Sequence, residues 1–189
     1  MRNKTKPMSK QLTRRKFIKS AAVTGAASTL GMPAIVRAQN QNSKLQVGFV
    51  ATGGRAGAHV GFAWNNRKKY GLECVAFAEV DKNSWKNVHN NDEWKDAKGY
   101  TDWREMFQNH TKELDVVFVA TPDHTHYGPS MTAISNGIHC YTEKPLAWSV
   151  REAQNLTKAY EKNKSVVTQM GNQGHAGNGW RLAYEFVKA

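Results

Sequence analysis

The sequence predicts a doubly wound α/β domain on a mainly parallel sheet, and three observations predict it. Strand-like and helix-like segments alternate regularly from Leu45 onward. The strand-like runs are apolar on both faces, as strands covered by helices on each side must be. Helical stretches separate them, which parallel neighbours need in order to cross over.

The elements follow in order. Residues 45–50 (LQVGFV) read as the first strand and residues 57–70 as its helix. Residues 74–80 (CVAFAEV) form the second strand, with a short helix expected from about Asn83. Residues 83–99, rich in Asn, Asp, Lys and Trp, are the least regular part of the chain. Asp102 with Glu105, and Ser149 with Glu152, have the spacing of a capping side chain and its reciprocal partner, so each marks a helix start. Residues 114–120 (LDVVFVA), 138–141 (IHCY) and 166–170 (VVTQM) supply three more strands. Near the end, Trp180, Ala183, Tyr184 and Val187 fall at i, i+3, i+4 and i+7, one apolar helical stripe. No terminating glycine follows, so the chain is expected to stop inside or just after a helix, as a piece of a longer protein.

Charge is unevenly distributed. The formal net charge of +12 arises largely in residues 1–38, which hold nine Lys or Arg and no acidic residue. The remainder is close to balanced and carries no interleaved basic and aromatic stripe, which argues against a nucleic-acid surface. Within the basic segment, Thr13-Arg14-Arg15-Lys16-Phe17-Ile18-Lys19 matches a twin-arginine export motif. A mildly apolar run over residues 21–36 follows, too short and polar for a membrane span. Val36-Arg37-Ala38 then offers a cleavage site after Ala38. The segment therefore predicts use of the twin-arginine translocation machinery and a periplasmic or otherwise exported protein. That route, as generally understood, carries folded proteins. Cys74 and Cys140, the only cysteines, lie inside predicted strands and read as small buried apolar residues.

Candidate chemistry gathers in the turns after the strands, where open α/β sheets bind their ligands. The turn after the first strand, Ala51-Thr52-Gly53-Gly54-Arg55-Ala56, is close to the dinucleotide fingerprint G-x-G-x-x-G. Its three glycine positions are occupied by Ala51, Gly53 and Ala56, so the tightest turn carries a methyl group. The helix that follows can present free N–H groups and its positive dipole end to phosphates. Glu79, 26 residues after Gly53, closes the second strand with Asp81 just behind, where an acid can accept hydrogen bonds from a ribose. Thr121-Pro122-Asp123-His124-Thr125-His126 follows the third of the long strands. His124 and His126 lack the further donors of a metal site, so no metal is expected. Glu143-Lys144-Pro145 ends the next strand, and Lys144 there can hydrogen-bond a sugar hydroxyl or assist proton transfer. Asn172, Gln173 and His175 bring amide and imidazole groups to the same edge, suited to polyol recognition.

In this order, the TGGRA turn, AEVD, VFVATPDHTH, HCYTEKPL and QMGNQGH resemble the glucose–fructose oxidoreductase/inositol dehydrogenase (Gfo/Idh/MocA) family over residues 45–189. The resemblance implies an N-terminal Rossmann domain, NAD or NADP as cofactor, and redox chemistry at a sugar or polyol carbon. It places Thr52, Gly53, Gly54, Arg55 and Ala56 at the pyrophosphate. Glu79, with Asp81, falls at the adenosine ribose, which favours NAD, while Arg55 leaves NADP open. Thr121, Pro122 and His126 fall on the nicotinamide side. Glu143 and Lys144 fall at the cofactor, with Lys144 as the catalytic residue touching the reacting hydroxyl. The resemblance further implies a homo-oligomer at full length. It also implies a second, open-faced α/β domain and a catalytic Asp and His from beyond this segment. The expected layout is a signal peptide (1–38), a lead-in (39–44), the nucleotide-binding domain (45–175) and the start of a helix leading to a missing substrate domain (176–189). Two other readings stay open: a non-catalytic nucleotide-binding or assembly module, and an NAD-assisted glycoside hydrolase.

Overall fold

A computed structural model describes residues 44–189; the export motif lies outside the described residues. The described residues form a six-stranded, wholly parallel sheet in the order β3-β2-β1-β4-β5-β6. The strands are β1 (Leu45–Val50), β2 (Leu72–Ala78), β3 (Lys98–Tyr100), β4 (Val116–Val119), β5 (His139–Glu143) and β6 (Thr168–Gly171). The chain winds outward from β1 to β3, then returns to lay β4 against the other side of β1. The crevice between β1 and β4 is therefore the point where the winding reverses.

Among the described residues five α-helices connect the strands, α1 (Gly54–Tyr70), α2 (Lys86–His89), α3 (Trp103–His110), α4 (Tyr127–Ser135) and α5 (Val150–Lys162), and two follow β6, α6 (Gln173–Ala176) and α7 (Asn178–Lys188). They cover both faces. Val47, Phe49 and Phe77 pack with Val60 and Ala63 of α1, Val88 of α2 and Trp94 on one side. Val50, Val117 and Val119 pack with Met106, Phe107, Ala133, Ile134 and Leu156 on the other. Within β4 the alternation is visible residue by residue, since Val116 and Phe118 join the first cluster and Val117 and Val119 the second.

Four local features differ from the sequence expectation. Helix α1 begins at Gly54 rather than Gly57, because two glycines of poor helix propensity hide its first turn. The helix expected from Asn83 is a 3-10 turn, Lys82–Ser84, followed by the four-residue α2. β3 (KGY) has no apolar run to announce it and exists because it pairs with residues 76–78 of β2. Helix α4, for which the sequence reading made no assignment, opens Tyr-Gly-Pro, and Pro129 sits in its first turn, where its missing N–H costs nothing. The predicted caps do form: Asp102 accepts from the Arg104 N–H and Ser149 from the Glu152 N–H, while Glu152 reaches back to the Trp148 N–H. Both cysteines are buried and free, and burial pushes both thiols up, away from reactive thiolates.

Candidate nucleotide-binding crevice

The loop between β1 and α1 is held from below by its neighbours. Ala51, at the first glycine position of the fingerprint, has φ +80° and donates its N–H to Ala78 O at 2.8 Å. Thr52 is fully buried; its hydroxyl donates to Ser84 O and its carbonyl accepts from Asn87. A Cβ on Gly53 would lie 2.7 Å from Ser84 Oγ, so only glycine lets the loop approach the segment after β2 this closely. Gly53 is also the residue before α1, and no side chain caps that helix. There is no acid in the first turn of α1, while Arg67, Lys68 and Lys69 complement the dipole in the last. No side chain caps the N–H groups of Gly54, Arg55 and Ala56 at this positive helix end, and a Cβ on Gly54 would meet open space.

Glu79 ties the end of β2 to this loop. Its Oε2 accepts from the N–H groups of Thr52 (2.9 Å) and Gly53 (3.0 Å), and its Oε1 accepts from the N–H of Asp81. Asp81 itself is spent on local structure: its carboxylate accepts from the Asn83 N–H and the Ser84 hydroxyl. Two N–H donors of the loop are therefore already given to a carboxylate, leaving the helix end for other anions.

Across the crevice, the loops after β4 and β5 are stapled by His126. This side chain is buried, with Nδ1 at 2.7 Å from Pro145 O and Nε2 at 2.7 Å from Thr121 O. Both ring nitrogens are thus engaged in holding these two loops together. The Lys144–Pro145 peptide is cis. Lys144 Nζ lies 3.7 Å from Asp123 Oδ2, both side chains well exposed at the rim. Pro122 precedes the 3-10 turn Asp123–Thr125. The Thr121 hydroxyl is buried with no hydrogen-bond partner among the described residues, a polar atom that a ligand group could satisfy.

A cluster not foreseen from the sequence sits between α1 and β5. Glu143, nearly buried, places Oε1 3.0 Å from Arg55 Nε and 2.7 Å from His59 Nε2. Burial pushes the Glu143 carboxyl up, but hydrogen bonds from Arg55 and His59 outweigh it and hold the group below the ordinary carboxylate range. Burial lowers the affinity of His59 for a proton, which its bond to Glu143 only partly offsets. His59 is thus a neutral donor to an ionised acid, its ring stacked on Phe118 and edge-on to Tyr141. Arg55 and His59 stand four apart on one helix face, but the sequence alone does not show which acid they share.

Asn172, Gln173 and His175 are exposed beyond β6, and His175 stacks on Trp180 with ring centroids 5.0 Å apart. Thr52, Gly53, Gly54 and Arg55 lie where β1 passes into α1, with Glu79 bonded to that loop, and Thr121, Pro122 and Lys144 lie in the loops after β4 and β5, while Glu143 turns inward onto Arg55 and His59. No described hydrogen bond joins the β6 group to Lys144. The stripe foreseen on α7 is present but exposed, with Trp180, Tyr184 and Val187 open to solvent.

Comparison with known proteins agrees with this architecture. The region is 35% identical over 71 residues to an uncharacterised oxidoreductase of Bacillus subtilis, covering 36% of this chain and 18% of the relative. It is 33% identical over 78 residues to the 2,7-anhydro-N-acetylneuraminate hydratase of Escherichia coli, covering 41% of this chain and 21% of that protein. Among solved structures, the myo-inositol 2-dehydrogenase of Lactobacillus plantarum superposes with a TM-score of 0.64 at 22% identity, over 77% of this chain and 41% of that one. The chain therefore spans a minor part of the length of the proteins it matches. Residues 11–31 match the signal sequence of the twin-arginine translocation pathway, so the protein carries an export signal for that route. Residues 45–171 match the oxidoreductase family with the NAD-binding Rossmann fold, from the first residue of β1 to the last of β6, and the chain belongs to that family.

Proposed function

We propose that this chain is the nucleotide-binding part of an exported, NAD-dependent oxidoreductase acting on a sugar or polyol. The observation that carries the reading is the loop at the β1/β4 reversal, where α1 begins without a side-chain cap beside the Glu79 carboxylate, with the orphaned Thr121 hydroxyl in the loop after β4. These groups fit a dinucleotide. The N–H groups at the start of α1 and the Arg55 guanidinium would hold the pyrophosphate, and Glu79 would accept from the adenosine ribose hydroxyls. Thr121 and Pro122 would border the nicotinamide. NAD, when bound, supplies the two-electron acceptor for oxidation of an alcohol.

The chain's own contribution to that chemistry centres on Lys144. Its ammonium stands at the rim beside Asp123, able to donate a hydrogen bond to a substrate hydroxyl and to stabilise negative charge developing on that oxygen. NAD is favoured over NADP because Glu79 already holds a negative charge against the loop, where a 2′-phosphate would be repelled. Titration calorimetry of the chain with each cofactor tests the reading: NAD binds and NADP binds more weakly, whereas binding of neither at millimolar concentration overturns it. A second reading, a reaction without net oxidation, draws on the likeness to a hydratase. Sustained NADH accumulation with substrate excludes it. A homo-oligomer remains part of the proposal for the full-length protein, with sedimentation as its check.

A further inference from the structure

Glu143 immediately precedes the proposed catalytic lysine, yet its carboxylate turns inward. An ionised carboxylate this deeply buried costs several kcal/mol unless it is fully paired. Here both donors, Arg55 Nε and His59 Nε2, converge on the same oxygen. A third element closes the remaining side: a Cβ on Gly171, the last residue of β6, would fall 2.8 Å from the Glu143 carboxylate. The group is therefore pinned between α1, β5 and β6 and has nowhere to swing.

Arg55 is the only member of the cluster that reaches the crevice. Its side chain is 45% exposed, and its terminal nitrogens make no hydrogen bond among the described residues. The backbone of Arg55 lies in the first turn of α1, at the uncapped helix end. One end of the guanidinium is thus anchored in the interior, and the other presents charge where the helix presents free N–H groups.

We propose that His59 and Glu143 are positioning residues that hold the Arg55 guanidinium as a phosphate clamp at the start of α1. This rests on the reading of the crevice as a dinucleotide site. Neither residue touches the ligand. His59 fills one lone pair of Glu143 and fixes the acid's orientation, and Glu143 then fixes Arg55. Because Glu143 and Lys144 are consecutive, the same anchor sets the clamp and the lysine in one frame.

A double-mutant cycle read by calorimetry, with NAD and with inorganic pyrophosphate as probes, tests the proposal. Glu143→Gln is expected to weaken both by about tenfold when Arg55 is present, the size of one charge-assisted hydrogen bond. It should cause no further loss in an Arg55→Ala background. His59→Gln, which keeps a donor, should stay within about twofold of wild type, while His59→Leu should lose as much as Glu143→Gln. Equal losses from Glu143→Gln in both backgrounds, or full affinity in a folded His59→Leu protein, would overturn the proposal. If Glu143→Gln does not fold, Arg55→Lys decides, since it keeps the charge but removes the Nε donor: wild-type affinity there sinks the clamp. If wild type binds pyrophosphate but not NAD, the cofactor reading fails while the same cycle still tests the clamp. Absence of pyrophosphate binding overturns the clamp as well.

Discussion

At φ +80°, Ala51 occupies a backbone region that glycine enters freely and an L-residue enters at a cost of about 1–2 kcal/mol. Restoring glycine removes that strain but adds freedom to the unfolded chain, so Ala51→Gly should stabilise by a net amount of about 0.5–1 kcal/mol. Thermal melting of the two proteins checks this, and a lower midpoint for the glycine variant would show that the alanine methyl packs usefully. Glu79 invites a different substitution. Glu79→Ser removes the ribose acceptor and frees the N–H groups of Thr52 and Gly53. NAD affinity should fall roughly 10- to 100-fold, from the loss of hydrogen bonds to a charged group. The preference for NAD over NADP should shrink, and unchanged selectivity in parallel titrations would remove Glu79 from the site. The places of Glu79 and Lys144, just past the ends of β2 and β5, were legible in the sequence because the strands before them are apolar runs. His59 was not: a lone histidine in a helix does not reveal which buried acid it meets until the sheet is assembled.

Among the elements, those with strong local chemistry were readable and those that exist through pairing were not. β1, with a continuous apolar run, has the bounds the sequence suggested, while β3 exists only because β2 offers it an edge. The capping residues were equally explicit. Ser149 accepts from the Glu152 N–H at 3.3 Å, and Glu152 accepts from the Trp148 N–H at 2.8 Å. Ser149→Ala should therefore cost about 1 kcal/mol, seen as a lower denaturation midpoint with an unchanged slope. Ser149→Asp, which caps as well, should recover most of the loss. The start of α1 is the opposite case: an end left without a side-chain cap gives up stability and leaves its first N–H groups without that acceptor.

The whole molecule should respond to acid through the buried cluster. Folding depresses the proton affinity of both His59 and Glu143, so each binds its proton more weakly folded than unfolded. The groups facing His59 are Arg55 from α1 and Glu143 and Tyr141 from β5. The stability associated with His59 is full above the ordinary imidazole value of 6.5 and drains as pH falls below that value toward its lowered folded one. Glu143 adds a second loss below the ordinary carboxylate value of 4.5. Melting temperature should decline in two stages on acidification, and His59→Gln should abolish the first. A wild-type midpoint that stays flat across the first stage would contradict the neutral histidine. The doubly wound class was legible from alternating periodicity alone, because it depends on the order of elements rather than on any single contact.

β1 lies directly after the export signal in the chain, yet it ends at the centre of the sheet, with Val47 paired to both Cys74 and Val116. The first pairing closes a short crossover and is open to a nascent chain early. The second must wait until residues far downstream have left the ribosome, and such distant pairings form slowly. The twin-arginine signal is therefore synthesised well before the flank of β1 is covered. Delivery of a folded domain requires the transport step to be held back until β4 and β5 have docked.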